Sequence, residues 1–469
     1  MSVVPSTTLD TIVAISTPPG RGGIGIVRLS GPEALTAAAH LVHLSPPFDH
    51  ARARFTRIRD PLAPNDPKRS IDDAIVTTFL APHSYTGDDL IEIAAHGSPV
   101  VLEAILRAAL ARAATHALSI RLAEPGEFTQ RAFLSGRIDL TQAEAVHDLI
   151  AARTLDQARI AAQQLGGAMS RRVAPAKEQL LHLIALLEAG MDFASGELDD
   201  VDVVPAEQIA AEIAATEQPL AALAASYRHG QLMRSGVSLA LVGRPNAGKS
   251  SLFNRLLQRE RAIVTPIPGT TRDTVEETVA LGGIPIRLID TAGLRIAGDA
   301  PADEAEEQGI ARSREALADA DLVLLIHDAT QPLTASEQSL TDSLSQRPHL
   351  LVRNKVDLLD SLLTQPGTIA TSALTGEGLD DLRTAILREL NAEGALADSG
   401  ALNNLRQQQA VVSALEALAA ASVANAGALP HEMILLDLHT ALRALDSLTG
   451  ATTADDILGR IFSTFCIGK

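Results

Sequence analysis

The chain has 469 residues, of which 46% are hydrophobic and 20% are charged, and its formal net charge is −18. This composition is typical of a globular protein and excludes wholesale disorder, and at about 150 residues per domain the length predicts roughly three domains. The acidic balance excludes a general coat for nucleic acids, because phosphate binding depends on Lys and Arg. A local basic groove remains compatible with it.

The cysteine content and the apolar runs bear on the cellular compartment. Cys466 is the only cysteine, so no intramolecular disulfide can form, which is typical of the reducing cytosol. The N-terminal MSVVPSTTLD lacks the basic and apolar regions of a signal peptide. The closest approach to a membrane span, residues 417–430, is short, mostly Ala and interrupted by Asn. We therefore expect a cytoplasmic protein that does not span a membrane.

The first region of the chain mixes strands and helices without a regular alternation. Runs rich in Val and Ile predict strands at 11–16, 24–29, 71–80, 90–95 and 119–123, and a helix is predicted at about 99–113. This mixture predicts an α+β domain over residues 1–139.

The texture of the sequence then becomes helical. Residues 141–236 are dominated by Ala, Leu, Gln and Glu at helical spacing, and the same texture returns from about residue 403 to 468. Thr141, with Glu144 three residues later, predicts a capping box at the start of the first helix. We interpret residues 140–235 and 393–469 as two parts of one discontinuous all-α domain.

Residues 236–392, between those two parts, alternate strands with helices. Strands are predicted at 237–242, 284–289, 322–327 and 349–353. This rhythm predicts a mostly parallel sheet with helices on both faces, in which ligands bind beyond the carboxyl ends of the strands.

A glycine-rich loop follows the first of these strands. The segment GRPNAGKS, residues 243–250, has the pattern G-x-x-x-x-G-K-S between a strand and a helix. Backbone N–H groups of such a loop cradle phosphates, while Lys249 would reach the β and γ phosphates and Ser250 would hold Mg²⁺. The pattern predicts a P-loop nucleotide site.

Two motifs on the phosphate side follow the P-loop. Asp290 begins D-T-A-G at the end of a strand, where it can support the Mg²⁺ shell, and Gly293 can offer its N–H to a γ phosphate. Thr270 and Thr271 lie between the two motifs, where a mobile Thr can close on Mg²⁺ and the γ phosphate. Each motif alone is weak evidence for a function, but the order in which the motifs occur is that of a GTPase.

Two motifs on the base side complete the set. The segment NKVD, residues 354–357, follows a strand, and the carboxylate of Asp357 can accept from both N1–H and N2–H of guanine, whereas adenine offers a different edge. The segment SAL, residues 372–374, fits the last guanine-contacting loop. The full set predicts a GTPase. One position departs from small signalling GTPases, because Leu294 follows D-T-A-G where they carry a water-orienting Gln, so hydrolysis must recruit another group.

With these motifs the chain resembles the MnmE (TrmE) family of tRNA modification GTPases over essentially its whole length. The most specific segments are TIVAISTPPGRGGIGIVRLSG (11–31), SYTGDDLIEIAAHG (84–97), EPGEFTQRAFLSGRIDLTQAEAV (124–146) and DDILGRIFSTFCIGK (455–469), beside the GTPase motifs. The resemblance implies an N-terminal α+β folate-binding and dimerisation domain (1–139), a discontinuous all-α domain (140–235 and 393–469) and an inserted Ras-like P-loop G domain (236–392).

The resemblance also implies an activity and partners. The family forms homodimers through the N-terminal domains and works with an FAD-containing partner, MnmG, in a heterotetramer. Together they add an aminomethyl or carboxymethylaminomethyl group to C5 of the wobble uridine of tRNA, and a 5-formyl- or methylene-tetrahydrofolate supplies the one-carbon unit. GTP hydrolysis drives dimerisation of the G domains.

The family's nucleotide and ion positions carry over to matching residues. The resemblance implies nucleotide contacts from Asn246, Ala247, Gly248, Lys249, Ser250, Ser251, Thr265, Pro266, Ile267, Pro268, Gly269, Thr270, Thr271, Asp290, Thr291, Ala292, Gly293, Asn354, Lys355, Val356, Asp357, Ser372, Ala373 and Leu374. It implies Mg²⁺ ligands from Ser250 and Thr271, and K⁺ ligands from Asn246, Thr265, Ile267 and Thr270.

A glutamate after D-T-A-G orients the attacking water in the family. Alignment on the following G-I-A-R selects Glu306, but the loop RIAGDAPADEAEEQ is longer than the family usually shows, so Glu304 and Glu307 stay alternatives. The K⁺ ion would occupy the place of an arginine finger and neutralise charge on the leaving phosphates.

The folate positions that match are Arg28, Glu92, Arg137 and Lys469. A carboxylate and cations can grip a pterin edge and a glutamate tail, while the alternative for Arg28 and Glu92 is a surface ion pair. The family usually has Lys where this chain has Arg137, and Arg is not a neutral replacement. Cys466, in the tail FCIGK, is either a catalytic residue or a buried packing residue among phenylalanines.

A second function is open on the GTPase motifs alone. A GTP-switched ribosome or RNA assembly factor without one-carbon chemistry would carry the same set. The folate-type N-terminal domain and the CIGK tail favour the tRNA-modifying enzyme, and binding of 5-formyltetrahydrofolate would discriminate between the two.

Overall fold

The structure is a computed structural model that describes residues 10–60, 69–194, 204–244, 246–260, 276–290, 320–344, 347–359, 366–390, 400–452 and 455–468. The chain divides into two compact units, Met1–His147 with Asp446–Lys469 and Asp148–Leu445. This division groups the C-terminal segment with the N-terminal region. The organisation into four segments with boundaries at 139, 235 and 392 stays a prediction.

A six-stranded sheet forms the centre of the first unit. Its strands β1 to β6 span Thr11–Ile15, Ile24–Ser30, Arg52–Arg59, Ser70–Phe79, Leu90–His96 and Ile120–Leu122. They lie in the order β3-β4-β5-β2-β1-β6, and all neighbours are antiparallel except β1 and β6. Helices Ala34–Leu41 and Pro99–His116 share a buried apolar core with the sheet. The predicted α+β fold of this region is confirmed.

Strand β3 is an edge strand that the sequence analysis does not predict. Its sequence RARFTRIR contains four arginines, which obscure the period-2 alternation. Thr56 and Ile58 are buried, whereas Phe55 is 70% exposed. Charged side chains on an edge strand limit pairing with other chains, so the arginines that hide the strand in the sequence also protect its open edge.

The C-terminal segment packs on the helix that follows β6. Helix Asp455–Ser463 lies beside helix Glu127–Leu134, and the rings of Phe462 and Phe133 are 6.5 Å apart. A short antiparallel bridge joins Pro125 to Ile467. Gly126, with φ +71°, permits this close approach, because a Cβ there would meet the Phe462 carbonyl oxygen at 2.7 Å.

A partly buried network of ion pairs holds the start of the helix Glu127–Leu134. Glu127 Oε1 lies 2.7 Å from Nη2 of Arg121 and 2.8 Å from Nη2 of Arg131, and Asp10 pairs with both arginines at 2.6 and 3.0 Å. Burial raises the pKa of Glu127, but hydrogen bonds from Arg121, the Glu124 backbone and Arg131 outweigh it and hold that pKa below its usual value.

The helix Leu140–Ala151 is capped differently from the expectation. The capping box at Thr141 and Glu144 is wrong, because Asp139 and Gln142 form it instead. The Gln142 N–H donates to Asp139 Oδ1 at 2.9 Å, and the Asp139 N–H donates to Gln142 Oε1 at 2.9 Å. Thr141 lies inside the helix, and its hydroxyl donates to Asp139. Asp is as good an N-cap as Thr, and the helix begins two residues earlier than the Thr-based reading requires.

A second six-stranded sheet lies in the other unit. Its strands β7 to β12 span Val237–Val242, Glu276–Leu281, Ile284–Asp290, Leu322–Asp328, His349–Asn354 and Thr368–Ala370. The order is β12-β11-β10-β7-β9-β8, and only β8 runs antiparallel to its neighbour. Helices Lys249–Glu260, Ala335–Ser343 and Leu379–Glu389 accompany it. The predicted α/β fold is confirmed.

A buried histidine and a buried glutamate tie β10 to the helix Ala335–Ser343. Glu337 Oε1 lies 3.1 Å from Nδ1 of His327, and its other oxygen accepts from the Thr334 N–H at 2.9 Å. Both side chains are nearly inaccessible, at 2% and 6% exposure. Burial raises the pKa of Glu337, but the Thr334 N–H, His327 and the Thr334 hydroxyl outweigh it and hold that pKa below its usual value.

Six further helices lie wholly or mostly in the described part of the second unit. They span Leu155–Leu165, Ala168–Ala194, Ala206–Ala225, Tyr227–Ser235, Leu405–Ala426 and His431–Thr449, the last of which continues into the first unit. Among the described residues, Leu405–Ala426 is one helix long and apolar enough to cross a membrane, but 44% of the tested window is buried. It packs against Ala206–Ala225, and Asn425 Nδ2 donates to the Ala206 carbonyl at 2.8 Å, as in the core helix of a bundle.

Candidate functional site

The carboxyl ends of the parallel strands gather the candidate nucleotide-binding residues at one edge of the second sheet. Gly243 follows β7, Asn354 ends β11, and Asp328 ends β10. Asp290 ends β9. Open parallel sheets bind ligands at this edge, so the topology brings together motifs that lie far apart in the sequence.

The P-loop has a backbone that only these residue types accommodate easily. Gly248 has φ +89°, and a Cβ there would overlap the side-chain amide of Asn354. Asn246 adopts φ +65°, a left-handed conformation that Asn tolerates better than most residues. The Lys249 ammonium is buried and donates to the carbonyls of Gly243 at 2.8 Å and Arg244 at 3.0 Å. The loop thus curls around the lysine that phosphates would attract.

Asn354 joins the P-loop to the loop after β12. Its Nδ2 donates to the Ala247 carbonyl at 2.9 Å, and its Oδ1 accepts from the Ala373 N–H at 3.0 Å. Asn354 is 1% exposed, and both its amide nitrogen and its amide oxygen hydrogen-bond within the protein. It fixes the distance between the phosphate-binding loop and the base-binding loops.

The residues after Asn354 turn sharply. Lys355 has φ +67°, and a short 3₁₀ turn, Val356–Leu358, follows. The Lys355 ammonium lies 2.6 Å from Oδ2 of Asp328. Burial raises the pKa of Asp328, but Lys355 and the hydroxyl and N–H of Thr330 outweigh it and hold that pKa below its usual value. Asp357 is exposed at the turn, where its carboxylate can meet a base.

Asp328 is a functional candidate that the sequence analysis misses. The available signal is its position, since it ends a buried strand of the same parallel sheet as Asp290 and Asn354. Its other oxygen accepts from the Thr330 N–H at 3.0 Å and the Thr330 hydroxyl at 2.7 Å, so the carboxylate is held at a fixed angle toward Lys355.

The loop after β12 forms the last part of the site that would contact the base. The Ser372 N–H donates to the Glu377 carbonyl at 3.0 Å, and Ser372 Oγ accepts from the Thr375 N–H at 3.1 Å. Leu374 is 80% exposed. A fixed backbone with an exposed tip suits contact with a planar base.

Several predicted positions on the phosphate side lie outside the described residues. These are Thr265, Pro266, Ile267, Pro268, Gly269, Thr270, Thr271, Thr291, Ala292, Gly293, Leu294, Glu304, Glu306 and Glu307. Ser250 and Ser251 begin the helix Lys249–Glu260 and are exposed. Across the part of the chain that the structure describes, no three His, Cys, Asp or Glu side chains gather as a metal site.

The predicted folate residues Arg28 and Glu92 form one ion pair on the first sheet. They are direct cross-strand neighbours on β2 and β5, and Arg28 Nη2 lies 2.6 Å from Glu92 Oε1. The side chains are 16% and 25% exposed, so this pair is more enclosed than the surface ion pair of the alternative. The guanidinium also lies 5.5 Å from the ring centre of Phe128.

The C-terminal tail reaches the same place. Arg28 Nη1 donates to the Gly468 carbonyl at 3.3 Å, and Gly468 has φ +91°. Lys469 is outside the described residues. Arg137 is exposed, and its Nη1 donates to the Pro82 carbonyl at 3.3 Å. The structure thus brings Arg28, Glu92 and the tail together, and no recorded contact joins Arg137 to them in the described part of the chain.

Two further groups characterise the surroundings of this pair. Burial raises the pKa of Tyr85, whose hydroxyl lies 2.9 Å from that of Thr129. Cys466 is exposed, while the neighbouring Phe462 and Phe465 are buried. The expectation of a buried Cys466 is therefore wrong, because the phenylalanines lie in the core and Cys466 does not.

Comparisons with known proteins agree over the whole length of the chain. The family model for the MnmE helical domain matches residues 140–466, and that for the GTP-binding protein TrmE N-terminus matches residues 11–137. A protein of Koribacter versatilis named tRNA modification GTPase MnmE is 53% identical over 467 residues, which are 98% of this chain and 99% of that protein. Proteins of the same name from Moorella thermoacetica and Nitrosomonas europaea are 41% and 43% identical, over 98% and 99% of this chain and 99% and 100% of theirs.

Proposed function

Because the chain belongs to the MnmE (TrmE) family of tRNA modification GTPases, we propose that it is the GTP-hydrolysing component of the system that modifies C5 of the wobble uridine (U34) of tRNA. The observation that supports this most is the bridge made by Asn354 between the P-loop and the loop after β12. Through that bridge, the P-loop, which would bind phosphates, and the turn at 355–358, which would contact the base, lie at one edge of the sheet.

Guanine selection rests on Asp357 in this proposal. Its exposed carboxylate accepts from N1–H and N2–H of the base, and adenine offers no such pair of donors. Lys355, held by Asp328, lies along the base, while the backbone from Ser372 to Leu374 contacts its other edge. The Asn354 amide bonds to Ala247 and Ala373, which leaves the second N–H of its Nδ2 for the nucleotide.

Phosphate binding rests on the P-loop from Asn246 to Ser251. The absence of a Cβ at Gly248 lets the loop pack against the Asn354 amide, and Lys249 exchanges loop carbonyls for phosphate oxygens. The Ser250 hydroxyl and Thr271 would hold Mg²⁺, and the Asn246 side chain with the segment 265–270 would hold K⁺. These ions supply positive charge at the phosphates. Glu306 orients the water, with Glu304 and Glu307 as alternatives across the long loop.

The one-carbon chemistry is assigned to the first unit. Arg28, Glu92, Arg137 and Lys469 bind a 5-formyl- or methylene-tetrahydrofolate, which donates the carbon of an aminomethyl or carboxymethylaminomethyl group. The enclosed Arg28–Glu92 pair and the nearby tail support this placement. Cys466 is a catalytic residue of the modification, which its exposure permits. The protein works in the cytoplasm as a homodimer with the FAD-dependent partner MnmG.

Nucleoside analysis tests the proposal. In a strain that lacks this protein, tRNA should lose the C5 groups on wobble uridine, and the wild-type gene should restore them while Lys249→Ala should not. Calorimetry with 5-formyltetrahydrofolate should show saturable binding. Normal nucleosides in the deletion strain, together with no folate binding, would favour the GTP-switched assembly factor.

A further inference from the structure

A groove at the amino-terminal edge of the second sheet concentrates positive charge in an otherwise acidic protein. We name it the arginine groove. It has a volume of about 800 Å³, and its charged lining residues are Arg153, Arg228, Arg234, Arg287, Asp321 and Glu389. Four arginines and two acidic residues thus line the groove, in a chain whose net charge is −18.

The groove lies away from the nucleotide edge. Val237 and Ser238 at the start of β7 line it, whereas the P-loop follows the other end of that strand. A strand of six residues spans about 20 Å. We therefore expect substitutions in the groove to leave the candidate nucleotide site intact.

Two carboxylates near the groove accept hydrogen bonds from partners other than Arg153 and Arg228. Asp321 Oδ2 accepts from the N–H and the hydroxyl of Ser238, both at 2.8 Å. Asp148 Oδ1 accepts from Nε of Arg234 at 2.7 Å, and its Oδ2 accepts from Nδ2 of Asn403 at 3.0 Å. Glu389 is exposed, and no ion pair joins it to an arginine among the residues that the structure describes.

Arg153 and Arg228 are the strongest candidates for binding an anion in the groove. Both are exposed, and within the described ranges neither guanidinium has a carboxylate or carbonyl partner. Arg153 lies in the connection between helices Leu140–Ala151 and Leu155–Leu165, and Arg228 lies in helix Tyr227–Ser235. Unpaired guanidinium groups grouped in a groove are arranged to bind oxyanions, because their planar fork matches phosphate oxygens.

We infer that the arginine groove binds phosphate groups of the tRNA backbone, an inference that rests on the proposed function. A chain with this negative charge repels RNA as a whole, so binding requires a local surface where cations outnumber anions. The groove meets that requirement, and its volume exceeds what a single phosphate needs. It would position the tRNA without reading its sequence.

The test is the affinity of the full-length protein for fluorescently labelled, unfractionated tRNA, measured by anisotropy at several salt concentrations. The double variant Arg153→Gln/Arg228→Gln should bind about tenfold more weakly or worse, and its salt slope should be smaller by about 0.7 to 0.9 for each lost contact. Arg153→Lys/Arg228→Lys should keep the salt slope. Glu389→Gln should bind more tightly, since it removes a negative charge from the groove.

Arg443→Gln is the matched control, because Arg443 is an exposed arginine on the helix His431–Thr449, outside the groove. It should bind tRNA like the wild type, and every variant should keep the wild-type affinity for GTP. Equal tRNA affinity and salt slope in wild type and double variant would overturn the inference, as would no tRNA binding by the wild type. Loss of binding to an acidic partner protein, with tRNA binding unchanged, would assign the groove to that partner. Loss of wobble modification in the deletion strain is a separate result, so the proposed function can stand even if the groove assignment fails.

Discussion

The ion pair between Asp328 and Lys355 offers a sharp test of how the base-reading turn is held. Asp328→Asn removes the charge but keeps an oxygen that can still accept from the Thr330 N–H and hydroxyl. The turn after β10 should therefore remain folded. Lys355, whose backbone is left-handed, should lose the partner that fixes its ammonium. We expect weaker GTP binding without unfolding.

The magnitude follows from the geometry of the pair. Its atoms are 2.6 Å apart and its side chains are 31% and 21% exposed, so it lies between an exposed ion pair and a buried one. Exposed pairs contribute at most about 1 kcal/mol and hydrogen bonds to charged groups about 1.5–3 kcal/mol. A loss of about 1–2 kcal/mol corresponds to roughly 5- to 30-fold in Kd.

Calorimetric titration with GTP measures this loss. The matched control is Asp342→Asn, an exposed aspartate on the helix Ala335–Ser343, which should bind GTP like the wild type. Thermal unfolding of both variants should stay close to that of the wild type. An unchanged Kd for Asp328→Asn would refute the positioning role, and an equal loss in the control would show that the effect is not specific to the pair.

Four further variants test the other features. Gly248→Ala should abolish nucleotide binding in a titration, because the new Cβ overlaps the amide of Asn354; binding within twofold of wild type would contradict the P-loop geometry. Glu337→Gln should lower the free energy of unfolding at pH 7 by about 1.5–3 kcal/mol in urea titrations, because it weakens the hydrogen bonds that the carboxylate accepts. The folded state lowers the pKa of Glu337, so the stabilisation is complete above the unfolded value of about 4.3 and disappears as the pH falls through the folded value; a difference independent of pH would argue against the charge. Asn246→Ala should remove the stimulation of GTP turnover by KCl over NaCl at matched ionic strength and leave GTP affinity nearly intact, and equal wild-type rates in the two salts would exclude the K⁺ role. Arg28→Ala should weaken binding of 5-formyltetrahydrofolate in calorimetry, whereas unchanged heats would remove Arg28 from that site.

Elements with a strong local pattern could be predicted from the sequence. The strands β7 and β10 are runs of buried apolar residues, VSLALV and LVLLIHD, and the P-loop has a fixed spacing between a strand and a helix. In these places one stretch of chain contains all the information, because the hydrophobic period and the turn residues are local.

Features that depend on distant residues could not be predicted. The motif N-K-x-D predicts Asn354 as a nucleotide residue, but its bonds to Ala247 and Ala373 appear only when β7, β10, β11 and β12 lie in one sheet. The pairing of Asp328 with Lys355 likewise requires two neighbouring strands to end at one edge. The orientation of Cys466 depends on which of its neighbours fills the core.

The predictions for two short charged segments were wrong for a different reason. In β3 the arginines mask the alternation, because a strand at an open edge needs charge rather than uniform apolarity. At the start of the helix Leu140–Ala151 two overlapping capping patterns compete, and the sequence alone gives no preference between Asp139 and Thr141.

The most direct measurement of the central claim exchanges the nucleotide that supports tRNA modification. Asp357→Asn replaces one acceptor by a donor, so the turn should reject guanine, with GTP affinity reduced more than tenfold, and accept xanthine, which presents an acceptor at position 2. In a reconstituted reaction with tRNA, folate donor and the FAD-dependent partner, the wild type should form C5-modified wobble uridine with GTP, and Asp357→Asn should form it with xanthosine triphosphate instead. Modification by the variant at the wild-type rate with GTP, or by the wild type without any nucleotide, would contradict the account.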